Sequence, residues 1–406
     1  MAIVLVGTLD TKGEEFAFAR DVIEGQGVDV HVIDVGVLDD AGFEPDTTAA
    51  EVAEAAGTTL DELRADSDRG EAMTAMGEGA AAVVTDLFES GELAGVLGLG
   101  GSGNTSIATR AMRALPVGVP KLMVSTMASG DTEPYVGSTD IAMMYSVADI
   151  EGLNQLSRQV ISNAALAMVG MGTTESDVTV EDRPTVGITM FGVTTPCVQA
   201  AREHLEEAGY ETIVFHATGT GGQAMERLIR EGIIDGVLDI TTTEWADELV
   251  GGVLSAGPER LDAAAQTGVP QVVSTGALDM VNFGPRDSVP DEFEGRQFHV
   301  HNPQVTLMRT TPEECAELGE ILATKLNAAT GPAAVALPLG GISMLDVEGE
   351  DFYDPEADTA LFGTIREHID PAVELFEMEV PINDEAFARA LAEKLDEYMR
   401  AAGVGP

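Results

Sequence analysis

The stretch Ile3-Val4-Leu5-Val6-Gly7-Thr8-Leu9-Asp10-Thr11-Lys12-Gly13 decides how the rest of the chain is read. An apolar run rich in β-branched residues gives way to hydroxyls, a carboxylate and a lysine. Four apolar residues in a row suit a strand buried on both faces, and the helical pattern that follows makes the pair half of a βαβ unit. Lys12 is one of only four lysines in 406 residues. A chain that nearly dispenses with lysine, yet keeps one where its first strand turns into a helix, is expected to use it. An ammonium beside two hydroxyls and free backbone N–H groups is what an anionic ligand, above all a phosphate, requires. The plainer alternative is a solvated turn lysine.

Outward from that stretch, short β-branched runs alternate with helical patterns, the signature of parallel α/β layers. In the first half the spacing predicts strands at 2–7, 28–34, 94–99 and 120–125, and helices at 14–26, 70–90 and 104–115. Residues 36–68 are acidic and alanine-rich and read as an insertion with one short helix. A helix from Ile150 to Met168 closes the half, its alanines and Met168 suited to packing against another helix. The polar stretch from Gly172 to Pro184 reads as a linker.

The second half starts again with a strand over Thr185–Phe191, the turn Gly192-Val193-Thr194-Thr195-Pro196 and a helix to about Ala208. Further strands fit at 211–216, 235–240, 269–275 and 333–337. The halves share phrases: Gly95-Val96-Leu97 precedes Gly118-Val119-Pro120, and Gly236-Val237-Leu238 precedes Gly268-Val269-Pro270. The expected fold is α/β: two Rossmann-like doubly wound domains with mainly parallel sheets, at 1–180 and 184–406, with a cleft between them. Chance similarity of α/β segments is the rival account of the shared phrases.

Composition narrows the function classes. Seventy acidic against 21 basic residues give a formal net charge of -49 on a chain with an ordinary 44% hydrophobic content. Self-repulsion of that size calls for a solvent rich in counterions, as in the cytoplasm of a salt-accumulating halophile. No basic stripe exists to displace counterions from a nucleic acid, which is excluded as a partner. Cys197 and Cys315 are the only cysteines, so a disulfide framework is not expected. The start lacks a basic n-region and reads as a strand, not a signal peptide. No apolar run reaches the ~18–20 residues of a membrane helix. The reading is a cytoplasmic protein.

The candidates for chemistry share one position, the exit of a strand, where ligands of open parallel sheets bind. In the first half these are Thr8-Leu9-Asp10-Thr11-Lys12, Gly98-Leu99-Gly100-Gly101-Ser102-Gly103-Asn104-Thr105, and Ser125-Thr126-Met127-Ala128-Ser129-Gly130-Asp131. Glycines admit an anion to the backbone, and a helix starting near Asn104 adds N–H donors and a favourable dipole. Asp10 or Asp131 could hold magnesium against phosphates. Gly98-x-Gly100-x-x-Gly103 matches the dinucleotide fingerprint, yet the next strand ends at Ser125-Thr126 without the acid that would hold a ribose. Gly219-x-Gly221-x-x-Ala224 with Asp239 is a second match on paper, again not after the first strand of its unit. Other strand-end groups are Glu244, Asp279, and the alternating pair His299 and His301, acid/base or metal-ligand candidates or structural histidines. Cys197, at a helix start, is either a stabilised thiolate or a buried, inert thiol.

The phrases Gly7-Thr8-Leu9-Asp10-Thr11-Lys12-Gly13-Glu14-Glu15, Gly98 to Thr105 and Met123 to Asp131 resemble a two-domain family. Its plant relatives carry the domain as the amino-terminal, ATP-binding region of the tomato mosaic virus resistance protein. Val136 to Ser146, Ala217 to Gly222, Leu238 to Glu244, Gly276 to Gly284 and His301 to Arg309 continue the resemblance over nearly the whole chain. It implies ATP with magnesium in the first domain, and a homodimer. Thr8, Lys12, Gly101, Ser102, Gly103, Asn104, Thr105, Ser129 and Asp131 are the residues it carries over. The plant proteins continue into a barrel, whereas this sequence ends at Pro406, so no reaction of that barrel is expected.

The leading expectation is therefore ATP–magnesium binding by the loops at 8–13, 100–105 and 125–131, with Asp131 on the metal. A second is an enzyme acting on a small anionic metabolite in the inter-domain cleft through Glu244, Asp239, Asp279, His299 and His301. A third is a non-catalytic ligand-sensing or interaction module.

Overall fold

In the computed structural model the described residues are 1–65, 68–174 and 183–406. The chain forms two compact units, Met1–Thr179 and Val180–Pro406. Residues 175–182 of the expected linker lie outside the described residues.

The first unit runs β1 (Ala2–Gly7), α1 (Leu9–Glu24), β2 (Val30–Asp34), α2 (Ala49–Ala55), α3 (Leu60–Ala65) and α4 (Arg69–Glu89). It continues through β3 (Leu93–Gly100), α5 (Ser102–Arg113), β4 (Lys121–Ser125), α6 (Glu133–Val136), β5 (Ala142–Tyr145) and α7 (Gln155–Thr173). The strands lie in the order β2-β1-β3-β4-β5, all parallel. Strand order reverses between β1 and β3, and the helices after those two strands cover opposite faces. Phe16, Ala19 and Ile23 of α1 pack with Ile161, Ala165 and Met168 of α7. Ile107, Ala111 and Met112 of α5 pack with Met76, Ala80 and Val84 of α4. Gly7 has no room for a Cβ because the Phe16 ring fills that place.

Several features differ from the sequence reading; α7, for one, runs Gln155–Thr173 where the sequence reading has a helix from Ile150 to Met168. Helix α1 begins at Leu9 rather than near 14, so Asp10, Thr11 and Lys12 form its first turn instead of a loop. The cause is tertiary: the Leu9 N–H is accepted by Asp34 at the end of β2, 3.0 Å away. Lys12 itself departs from helical geometry (φ -127°, ψ 22°) and kinks the turn. Among its described residues the 36–68 insertion holds two short helices, α2 and α3, not one. Strand β5 was not anticipated, because at this sheet edge Ala142 and Tyr145 are exposed and no buried run marks it.

The second unit runs β6 (Thr185–Met190), α8 (Thr195–Ala208), β7 (Glu211–His216), α9 (Thr220–Arg230), β8 (Gly236–Thr241), α10 (Glu244–Val250), α11 (Asp262–Thr267) and β9 (Gln271–Gly276). Then come β10 (Met280–Phe283), β11 (Phe298–Asn302), β12 (Val305–Arg309), α12 (Pro312–Asn327), β13 (Ala333–Pro338), α13 (Pro355–His368), β14 (Glu374–Met378) and α14 (Glu385–Ala401). Its six-stranded parallel sheet is ordered β14-β13-β9-β8-β6-β7. Counted from its own first strand and read from the other edge, this is 2-1-3-4-5-6, the order of the first unit with one strand added. The shared phrases thus fall on two units of like topology. Between β9 and α12 an antiparallel sheet, β10-β12-β11, is inserted. Among the described residues no helix is long and apolar enough to cross a membrane.

A candidate anion site at the first switch point

Where strand order reverses, connections leaving on opposite faces open a crevice at the carboxyl ends of the strands. In the first unit that crevice is a cavity of about 330 Å³. One wall is the β1–α1 junction, with Thr8, Asp10, Thr11 and Lys12; the other is the β3–α5 junction, with Gly100 to Asn104.

Each wall is built by local hydrogen bonding. Thr8 and Thr11 share a bond between their hydroxyls at 3.0 Å, and the Lys12 N–H donates to Thr8 O at 2.9 Å. Asp10 Oδ2 accepts the Leu38 N–H at 2.9 Å, tying the turn after β2 to the first turn of α1. Asp10 Oδ1 is buried with no donor. Asp34 Oδ1 accepts from Leu9 and Gly36; burial pushes its carboxyl up and those two bonds pull it partly back. Opposite, Asn104 is 6% exposed. Its amide donates to Leu99 O at 2.6 Å and Val6 O at 3.4 Å, stitching β3 to β1, while its Oδ1 is buried without a donor. Helix α5 starts after Gly101 with no side-chain cap, so the N–H groups of its first turn carry no side-chain acceptor there.

Charge sets this cavity apart. Lys121, Lys325 and Lys394 are ion-paired with Asp140, Asp262 and Glu374. Among the described residues Lys12 has no ion-pair partner, and neither does Arg69, which lines the same cavity from the start of α4. The Arg69 guanidinium Nη2 lies 3.9 Å from where a Cβ on Gly103 would sit, so it stands at the amino-terminal end of α5. A cation at the positive end of a helix dipole is unfavourable until an anion joins it. Sequence reading passed over Arg69, although it and Arg64 are the only basic residues between 36 and 90.

Two of the three expected loops converge here. Thr8, Asp10, Thr11, Lys12, Gly100, Gly101, Ser102, Gly103 and Asn104 come together. Thr105 and Ser125 are buried and bonded to each other at 2.6 Å, with Thr105 also holding Gly101 O at 2.8 Å. Thr126, Ser129, Gly130 and Asp131 do not line the cavity. Their loop leaves β4, one strand farther out, and the Asp131 carboxylate accepts the Glu133 N–H at the start of α6. Asp131, the residue expected on magnesium, stands apart from the residues that line the cavity.

The second-unit candidates are scattered and mostly sealed. Asp239 and Glu244 are 0% and 1% exposed and surround Arg260, itself 1% exposed. Arg260 reaches Asp239 at 2.5 and 2.8 Å and Glu244 at 2.6 Å. Burial alone would lower the Arg260 pKa, but the Asp239 and Glu244 charges outweigh it and keep the guanidinium protonated. Glu244 also accepts the Gly219 and Gly222 N–H groups, and burial raises its carboxyl against the pull of Arg260. Asp279 is fully buried, accepts from Ser343 Oγ at 2.7 Å, and is raised by burial. His299 pairs with Asp351 at 2.7 Å, and the His301 ring, at an irregularity in β11, lies 6.5 Å from that of His299. No group of three metal-ligating His, Cys, Asp or Glu occurs among the described residues. Cys197 is the buried thiol, not a thiolate: burial pushes it up to about 12.

Residues 1–177 match the amino-terminal domain, and 183–399 the carboxyl-terminal domain, of the uncharacterised protein family UPF0261. The chain belongs to that family. A UPF0261 protein of Clostridium tetani is 54% identical over 398 residues, covering 98% of both chains. One from Mesorhizobium japonicum is 48% identical over 97% of this chain and 98% of its own. The ToMV resistance protein Tm-1(GCR237) of Solanum lycopersicum is 42% identical over 96% of this chain, which spans 55% of that protein.

Proposed function

We propose that the first unit of this UPF0261 protein binds a nucleotide by its phosphates, as ATP with magnesium. One observation carries the reading: two cations without an ion-pair partner among the described residues, Lys12 and Arg69, flank an uncapped helix start in a chain of net charge -49. In such a chain a free cation is surrounded by available carboxylates, so leaving two of them unpaired in one cavity favours an anionic ligand. The donor set fits a polyphosphate: the α5 N–H groups, Lys12 as a point charge, Arg69 as a two-pronged donor, and the Thr8 and Thr11 hydroxyls. Asp10, one of whose oxygens is buried without a donor among the described residues, is the carboxylate we assign to a magnesium ion arriving with the phosphates. Val35, Val37, Met73 and Ile107 supply an apolar wall for a base. NAD suits the site less well, because Asp34, the acid at the end of β2, is occupied inside the protein.

Titration calorimetry with ATP and magnesium in molar KCl, with NAD as control, tests this. Saturable binding of ATP and none of NAD is the expected result. Lys12→Ala and Arg69→Ala should each weaken ATP by about 1.5–3 kcal/mol, the value of a charge-assisted contact. Absence of ATP heat in the wild-type protein would sink the proposal, and unchanged affinity in either variant would remove that residue from the site.

A further inference from the structure

The nucleotide site just proposed has cations for phosphate and an apolar wall for a base, but the acid at the end of β2 is not free to hold a ribose. Asp34 ends β2, where a dinucleotide-binding fold keeps its ribose acceptor. It is 3% exposed and its Oδ1 is taken by Leu9 and Gly36. The strand after the Gly98–Gly103 glycines ends in Ser125-Thr126, with no acid at all.

A different carboxylate reaches the cavity, from the connection between β5 and α7. Asp149 lines it, is exposed, and has no ion pair among the described residues. Its Oδ1 accepts the Ile150 N–H at 2.9 Å, which orients the group without neutralising it. The segment carrying it is held firmly. Ser146 N–H donates to Ser125 O at 3.2 Å, and Ser146 Oγ to Ala148 O at 2.7 Å. On the other side, the Gly152 N–H donates at 2.6 Å to Glu15, which is itself 3% exposed.

Between those anchors lies backbone strain. Val147 adopts φ +67°, a left-handed conformation that β-branched residues avoid. Its side chain is 59% exposed, so burial of the valine does not offset the strain. Strain of this kind persists where the surroundings over-determine it, and such positions cluster at ligand sites. Here it sits two residues before a free carboxylate at the cavity.

A carboxylate cannot serve phosphate, which it repels. It serves hydrogen-bond donors, and a nucleotide carries a vicinal pair of them on its ribose. We propose that Asp149 accepts a hydrogen bond from the ribose 2′-hydroxyl of the bound nucleotide and so selects ribonucleotides over 2′-deoxyribonucleotides. This rests on the nucleotide reading above.

The test is calorimetry on the full chain in molar KCl with magnesium, comparing ATP with 2′-deoxy-ATP. The wild-type protein should bind ATP about tenfold or more tighter, as expected for a hydrogen bond to a charged acceptor. Asp149→Asn should bring the ratio close to one while leaving 2′-deoxy-ATP affinity within about threefold. Equal wild-type affinities, or an equal loss for both ligands in the variant, overturn the ribose role. So does a variant whose loss disappears when magnesium is chelated, which would make Asp149 a metal ligand. Failure of the wild-type protein to bind either ligand overturns the nucleotide reading itself, and the ribose role with it.

Discussion

Lys12 and Arg69 show how much an individual side chain says when its surroundings are considered. Three of the four lysines have carboxylate partners, so the remaining one stands out by chemistry and not by scarcity alone. Lys12 was legible in the sequence because it follows the first strand; Arg69 was not, since nothing in the chain order brings residue 69 to residue 103. Asp247 provides a prediction at the same scale. It is fully buried, bonded to Asn282 Nδ2 at 2.7 Å and to the Leu254 N–H at 3.0 Å. Burial lifts its carboxyl to about 7, against the pull of those bonds. The unfolded chain releases that proton near the ordinary value of 3.8, while the folded chain keeps it up to about 7. The unfolded state therefore binds fewer protons in that window, and stability falls as pH rises from about 4 to about 7. Urea unfolding in molar KCl at both ends of the window should show the fall, and Asp247→Asn should flatten it. A slope identical in the variant would assign it to other buried acids such as Asp279 and Asp346, which burial also raises.

At the level of elements, α5 and the Arg260 cluster carry opposite expectations. A Cβ on Gly103 would meet only ordinary contacts with Met73 and Arg69. Because glycine is a poor helix former, Gly103→Ala should stabilise the first unit by up to about 1 kcal/mol. It should nevertheless weaken ATP, since the added methyl stands where the proposed phosphates would approach the α5 N–H groups and Arg69. Calorimetry and a melting curve on one variant then separate site from scaffold; unchanged affinity would place the phosphates elsewhere. Arg260 binds together α9, β8 and α10 through Glu226, Asp239 and Glu244. Arg260→Leu leaves buried carboxylates without their counter-charge and should cost about 3–5 kcal/mol in denaturant unfolding. A loss below about 1 kcal/mol would mean that the carboxylates simply take up protons. The sequence marked Glu244 and Asp239 as strand-end acids, but only the fold revealed the buried arginine that occupies them.

For the whole molecule, charge governs conditions. With a formal charge of -49, screening should stabilise both units. Raising KCl from about 0.1 M to about 1 M shortens the reach of repulsion from ~10 Å to ~3 Å and should raise the melting temperature. A melting temperature indifferent to salt would mean that the acidic groups are already compensated locally by their neighbours.

Sequence by itself determined the alternation of strands and helices, the two-fold repetition of the α/β plan, and the two junctions that meet at the first cavity. These are local properties: strand periodicity, glycine at a turn, a lysine after a strand. It missed β5, the β10–β12–β11 insertion and β14, where exposed edges or short segments blur the periodicity. Tertiary structure alone decided that the strand order reverses between β1 and β3, that the loop after β4 stays out of the cavity, and that Arg69 and Asp149 enter it. Such facts depend on which strands become neighbours, and pairing over long sequence separations leaves no periodic mark on the chain.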